Sequence, residues 1–342
     1  MPEGCDPDDP EADQKSHMKL SCILLQFLTG IALTLSTLGA GAAEKTAAYL
    51  FAHMTVEDYG RLYYSVSTNG LHWRLLNGGK RILPEYRGHP DLARGHDGRW
   101  VLVGNPEPDH RTEARFWVST NLVYWSRLGD FKADMSAFPG FQECNRWHGA
   151  PKLLYDDATK RYLLTWHFSN VKPLKEEPEA YWSGMRTFCV TSPDLVTFSQ
   201  PKRLFSFEMA TIDVIVRRES GQYFAILKDE KYPAFDWPTG KTIRFATSPN
   251  LTGPWSEPGP KLSPNFREAP TIIPRQDGTG WLLYFEQYPG VQYGAATAPR
   301  LAGPWHDVYI KSYDVPANAR HGCMTPIGQR ELDALTAAYG KP

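Results

Sequence analysis

HGCMTPI, from His321 to Ile327, is the stretch on which the fold of this 342-residue chain turns. It opens on a polar residue and runs into an apolar, strand-like segment. Four other stretches share that build and recur at blade-like intervals: HPDLAR from His89, GAPKLLYD from Gly149, IDVIVRR from Ile212 and EAPTIIPR from Glu268. A second motif, S-x-[DN]-L or a close variant with a closing aromatic, runs in step with them. It ends at Trp73 (YYSVSTNGLHW), Trp125 (FWVSTNLVYW), Phe198 (FCVTSPDLVTF), Trp255 (IRFATSPNLTGPW) and Trp305 (YGAATAPRLAGPW). HGCMTPI arrives after the fifth copy of this motif with only a tail behind it, whereas AYLFAHM from Ala48 and YYSVS from Tyr63 precede any inner strand. A unit of roughly fifty residues cannot bury both faces alone, so such units stack or close on themselves. If the ring closes, the late strand completes the first unit and only short outer edges remain open. The expected fold is all-β: a five-bladed β-propeller closed by pairing of the C-terminal inner strand with the N-terminal strands.

Runs such as GRWVLVGN, KRYLLTWH, GQYFAILKDE and GWLLYFEQ lie between the two motifs; they are rich in β-branched and aromatic residues and bounded by turns, and read as second strands. QRELDALTAAY, from Gln329 to Tyr339, has the 3.6-residue period of a short helix. Lys plus Arg number 37 and Asp plus Glu 38, interspersed, for a formal charge of −1. That balance, with no basic block to track a phosphate backbone, argues against nucleic acid as a partner.

The first 17 residues are acidic and Pro-rich, and read as a disordered extension or a misassigned start. From Met18 the order Lys19, an apolar run from Leu20 to about Leu38 and GAGAA ending at Ala43 has the layout of a secretory signal. Residues 44–342 then form one propeller domain, secreted or periplasmic, with no membrane association after cleavage. Cys144, Cys189 and Cys323 remain in it; their spacing fits no metal motif, and no disulfide is assigned.

Closure gives the polar strand starts a common address, since inner strands line the central channel and their N-terminal ends meet at one face. His89 or Asp91, His148, Asp213, Glu268 and His321 converge there. Two acids entering one funnel from successive blades suit glycoside hydrolysis, in which one carboxylic acid protonates the leaving oxygen while a base activates water. For a single acid, capping a strand start or pairing with Arg267, Arg320 or Arg244 is the commoner outcome. A lone His likewise more often fixes a strand start than touches a ligand. The segments 228–241 and 168–182, long and aromatic, are expected to wall the site or to be solvated loops.

In order, the blade starts resemble those of glycoside hydrolase family 43. HGAPKLLYD from His148, Thr211-Ile212-Asp213 and Glu268-Ala269-Pro270 resemble that family's second, third and fourth elements, and Arg320-His321-Gly322 resembles a fifth-blade stretch near the bound sugar. The resemblance spans nearly the whole chain after Ala43. It implies a glycosidase, inverting, acting on a poly- or oligosaccharide with arabinofuranosyl or xylosyl linkages favoured. Glu268 would be the proton donor, its pKa raised by a partly apolar surround and by Asp213, which would stay ionised. His148, His321 and Arg320 would bind substrate. No cofactor is required; a calcium or sodium ion in the channel is implied by the resemblance alone.

The first blade departs from the pattern. His89 stands where the family has an Asp before Pro, here Pro90. Asp91, two residues on, shares a strand face with it. Three readings stay open: Asp91 is the base, His89 is the base, with its neutral imidazole accepting a proton, or the propeller binds carbohydrate without cleaving it.

Overall fold

The computed structural model describes residues 45–106, 113–141, 143–144 and 149–341. The signal-peptide reading and His148 fall outside them. Blade one holds β1 (Ala48–Thr55), β2 (Tyr63–Ser67) and β3 (Arg74–Leu75). Blade two holds β4 (Asp91–Arg94), β5 (Trp100–Gly104), β6 (Glu113–Ser119) and β7 (Ser126–Lys132), and blade three β8 (Gly149–Asp156), β9 (Arg161–Ser169), β10 (Met185–Ser192) and β11 (Lys202–Arg203). Blade four has β12 (Thr211–Glu219), β13 (Gln222–Asp229) and β14 (Thr242–Ser248); blade five has β15 (Arg267–Pro274), β16 (Trp281–Gln287), β17 (Tyr293–Ala298) and β18 (His306–Asp307). The last strand, β19 (Ala319–Ile327), returns to blade one, whose sheet order is β19-β1-β2-β3. HGCMTPI is therefore innermost in the first blade, and the five-bladed propeller is closed as the sequence implies. Gln329–Tyr339 forms helix α2, and a short helix α1 (Pro178–Ser183) interrupts blade three.

The repeated S-x-[DN]-L motif is a turn device. Ser119 Oγ accepts the N–H of Leu122, and Asn121 Oδ1 accepts those of Val123 and Tyr124; Ser192 and Asp194 do the same for Leu195, Val196 and Thr197. Short polar side chains that bond their own backbone two or three residues on hold such turns without a sheet partner. Each turn delivers its closing aromatic to a seam between blades. Trp125, Phe198, Trp255, Trp305 and Trp73 belong to five separate apolar clusters, each built from two neighbouring blades. This packing of one blade on the next, absent from any single unit, is what makes the repeats a domain.

Four inner strands carry a β-bulge near their start, seen as a shift in pairing register at Gly149/Lys152, Ile212/Ile215, Glu268/Thr271 and opposite His53/Met54. At each bulge a non-glycine residue has left-handed backbone: Ala150 (φ 38°), Asp213 (φ 53°), Ala269 (φ 49°) and His321 (φ 29°). Bulges bend a strand and re-aim side chains, and repeated backbone strain of this kind marks functional sites. Gly322 completes the last of these bulges at φ 151°, where a Cβ would lie 2.1 Å from the Ala52 carbonyl oxygen.

Candidate active site

The bulged strand starts surround a cavity of about 220 Å³ at one end of the channel. Asp213, Glu268, Arg320, His321 and His89 all line it, together with His167 from β9. Tyr59, from the β1–β2 connection, and Tyr181 and Trp182, from α1, supply aromatic wall. The 168–182 segment thus reaches the cavity, as one of its two readings anticipated. The 228–241 segment does not line it. Its Tyr232 packs edge-on against Phe266 and is half exposed, outside the cavity.

Glu268 is held by cations on both oxygens. Arg320 Nη2 donates to Oε1 at 2.9 Å and Lys228 Nζ to Oε2 at 3.0 Å, while His321 Nε2 lies 3.6 Å from Oε1. Burial alone would raise its pKa, but Lys228 and then His321 outweigh burial and bring it down to about 2. The expectation of a raised pKa is therefore overturned, because the surround is cationic rather than apolar. Such a carboxylate stabilises the fold at pH values above the ordinary Glu range, and that contribution is lost as pH falls toward 2. The carboxyl shifted upward is Glu286, and burial is the main cause. It is fully enclosed, accepting from Arg320 Nη2 at 2.7 Å and from the His321 backbone N–H at 2.8 Å.

His89 and His321 stack face to face, with ring centroids 4.3 Å apart and planes 12° apart. Tyr59 Oη lies 2.9 Å from His89 Nε2. Burial, then the charges of His321, Lys152, His167 and Arg320, hold the His89 pKa well below its ordinary value, so the ring is neutral at neutral pH. His167 is likewise brought down to about 4 by burial.

Asp91 lies elsewhere. Its carboxylate accepts the Leu153 N–H of the next inner strand at 2.6 Å and faces a water-sized void farther along the channel with Lys152 and Arg217. The repeat explains why. Thr271, two residues past its bulge, accepts the Met324 N–H at 2.8 Å in the same manner, so Asp91 occupies the deeper, blade-stitching tier and His89 the cavity tier. The anticipated shared face with His89 does not bring this carboxylate to the cavity. Asp213 does both jobs: it lines the cavity and accepts the N–H of Ala269, the residue after Glu268, at 3.0 Å.

Lys228, Glu286 and His167 were not among the expected site residues, although each stands directly across the ladder from a strand start, paired with Ile212, Glu268 and Gly149. The signal was present: KRYLLTWH, GQYFAILKDE and GWLLYFEQ each end on polar residues.

Glu268, Glu286 and His321 bring donor atoms within 4.8 Å of one another, the spacing of a cation site. Arg320 already bridges both carboxylates and Lys228 occupies the other oxygen of Glu268. These fixed charges stand where a metal would, and the donor set does not fit one.

Residues 44–333 match the family described as a probable glycosyl hydrolase domain, related to glycoside hydrolase family 43. The chain belongs to that family. No curated protein sequence matches it. Among solved structures, an exo-β-1,3-galactanase from Clostridium thermocellum is 18% identical over 70% of this chain and 51% of its own, with a TM-score of 0.51. A family 43 β-1,3-galactosidase solved with galactodeoxynojirimycin is 11% identical over 79% of this chain and 90% of its own, also at 0.51. At such identities the likeness is one of fold. Within this family 43-related group, carbohydrate is the substrate class consistent with the fold and the cavity.

Proposed function

We propose that this family 43-related protein is an inverting glycosidase. Glu268 gives a proton to the departing oxygen, His89 takes one from the attacking water, and Asp213 holds the acid's strand in place. One observation carries the reading: an acid from blade five and an imidazole from blade two face the same cavity with a second imidazole between them. Inversion needs its two proton-transferring groups about 6.5–9.5 Å apart to admit water. His321 touches both groups, stacking on His89 with ring centroids 4.3 Å apart and placing Nε2 3.6 Å from Glu268 Oε1, so the inverting reading turns on the separation of His89 from Glu268 across the cavity. Tyr181 and Trp182 offer faces on which a sugar ring can lie. The favoured bond is arabinofuranosyl or xylosyl, with the β-1,3-galactosyl bond named for similar structures next, and the protein works outside the cytoplasm.

The test is a panel of aryl glycosides and oligosaccharides with wild type, His89→Ala and Asp91→Asn. His89→Ala should lower kcat by about 10²–10⁴, and azide, a nucleophile that needs no base, should restore turnover as an inverted glycosyl azide. Asp91→Asn should lower the melting temperature while leaving kcat within a few fold. The opposite pattern would return the base to Asp91. A sugar that raises the melting temperature while every glycoside survives would replace hydrolysis by binding alone.

Because Glu268 must be protonated to act and Lys228 and His321, outweighing burial, hold its pKa below the ordinary carboxylate range in the free protein, kcat/KM should fall with rising pH through the neutral range, about tenfold per unit. A plateau extending through pH 6 would remove this carboxyl from the role.

A further inference from the structure

Five charged side chains alternate in sign along a path from the cavity to the surface. Glu268 meets Lys228 at 3.0 Å, Lys228 meets Glu230 at 2.7 Å, Glu230 meets Lys241, and Lys241 meets Glu179 at 2.9 Å. The side chains of Lys228, Glu230 and Lys241 are 3%, 1% and 3% exposed; Glu268, at 12%, borders the cavity at one end, and Glu179, at 54%, reaches the surface at the other. Glu179 sits in the first turn of α1, the helix that carries Tyr181 and Trp182 to the cavity wall. Burying an ion costs several kcal/mol, and an apolar core of equal volume is often as stable. The chain nevertheless buries three charges in a row between its proposed acid and one wall of its cavity.

We propose that Lys228 is a positioning residue for Glu268, and that the ladder from Lys228 to Glu179 ties the acid to the α1 wall so that carboxyl and aromatic wall keep one register. This rests on the reading of Glu268 as proton donor. The other groups facing the pair are Arg320 and His321 from β19, Glu286 from β16, and Tyr288, whose ring lies 4.0 Å from Lys228 Nζ. Arg320 and His321 both lie against Glu268 Oε1, whereas Lys228 holds Oε2. Loss of Lys228 therefore strips one carboxylate oxygen of its cation, while Oε1 would keep a second neighbour if either of its own were lost.

The titration of Glu268 can be followed in the full chain by carbon-13 carboxyl NMR, assigned by the signal lost in Glu268→Gln. Lys228→Met should raise the midpoint by at least one pH unit, and Lys228→Arg should leave it near wild type. Glu230→Gln frees Lys228 for Glu268 and should lower it, a change of opposite sign that decides the matter should Lys228→Met fail to fold. Glu179→Gln, at the exposed end, should quicken hydrogen exchange across Pro178–Ser183 severalfold. With 4-nitrophenyl α-L-arabinofuranoside as substrate, the alkaline limb of kcat/KM should move upward with the NMR midpoint in Lys228→Met. A folded Lys228→Met protein with the wild-type midpoint overturns the positioning role. Unchanged exchange in Glu179→Gln overturns the tie to the wall. The NMR and exchange readouts need no turnover, so an inactive wild type would remove the glycosidase reading and leave these results to stand or fall by themselves.

Discussion

Glu268→Gln should cut kcat on an alkyl or oligosaccharide glycoside by about 10³-fold or more while leaving sugar binding within a few fold. General acid catalysis supplies typically 10²–10⁴, and it is needed most where the leaving oxygen is a strong base. On a dinitrophenyl glycoside, whose leaving group departs without a proton, the same variant should lose far less. That contrast separates loss of a proton donor from loss of structure. The amide keeps an oxygen that can accept from Arg320 or Lys228, and Lys228 keeps Glu230 at 2.7 Å, so the charges left behind are not stranded. Equal losses on both substrates would mean that Glu268 works through its charge, as the anchor of Arg320 and Lys228, rather than through its proton.

The sequence made the ring legible because ring closure depends on order alone. A first unit without an inner strand and a last strand without a unit, AYLFAHM and HGCMTPI, leave closure as the simplest completion. The helix at Gln329–Tyr339 was equally plain from its period. The site was harder to read, for two physical reasons. Asp91 stands two residues after His89, the spacing of a shared face in an extended strand, but β4 begins only at Asp91, and nothing in HPDLAR tells which tier of the channel each occupies; that emerges only when Asp91 is found bonding Leu153 as Thr271 bonds Met324. The pKa of Glu268 runs opposite to the sequence expectation because its controlling neighbours, Lys228 and His321, come from one second strand and from the far end of the chain. Like-charge proximity to Asp213 was visible in the sequence and pointed upward; the cations that reverse the sign become neighbours only in the folded ring.

Ending the chain after Pro316, and so removing β19 and α2, should abolish cooperative folding and drive the protein into the insoluble fraction. β19 pairs with β1 along the whole of its length, from Ala48 opposite Ile327 to Thr55 opposite Ala319. Like β1, it feeds both seams of blade one: Cys323 and Ile327 enter the cluster shared with blade two, and Met324 the cluster shared with blade five. Met324, Ile327 and Leu335 are fully enclosed, and at about 1.5–3 kcal/mol per buried side chain their loss approaches the whole stability of an ordinary domain, about 5–15 kcal/mol. The truncation further uncovers β1, AYLFAHMT, seven of whose eight residues are buried; a long apolar strand with an open edge is a template for aggregation. A synthetic peptide spanning residues 317–341, added during refolding, should restore a soluble protein with a cooperative thermal transition, because pairing rather than covalent continuity closes the ring. The same peptide carries Arg320 and His321, so activity should return only with closure. A truncated chain that melts cooperatively near the wild-type temperature would place the stability of the propeller within its blades rather than in the seams between them.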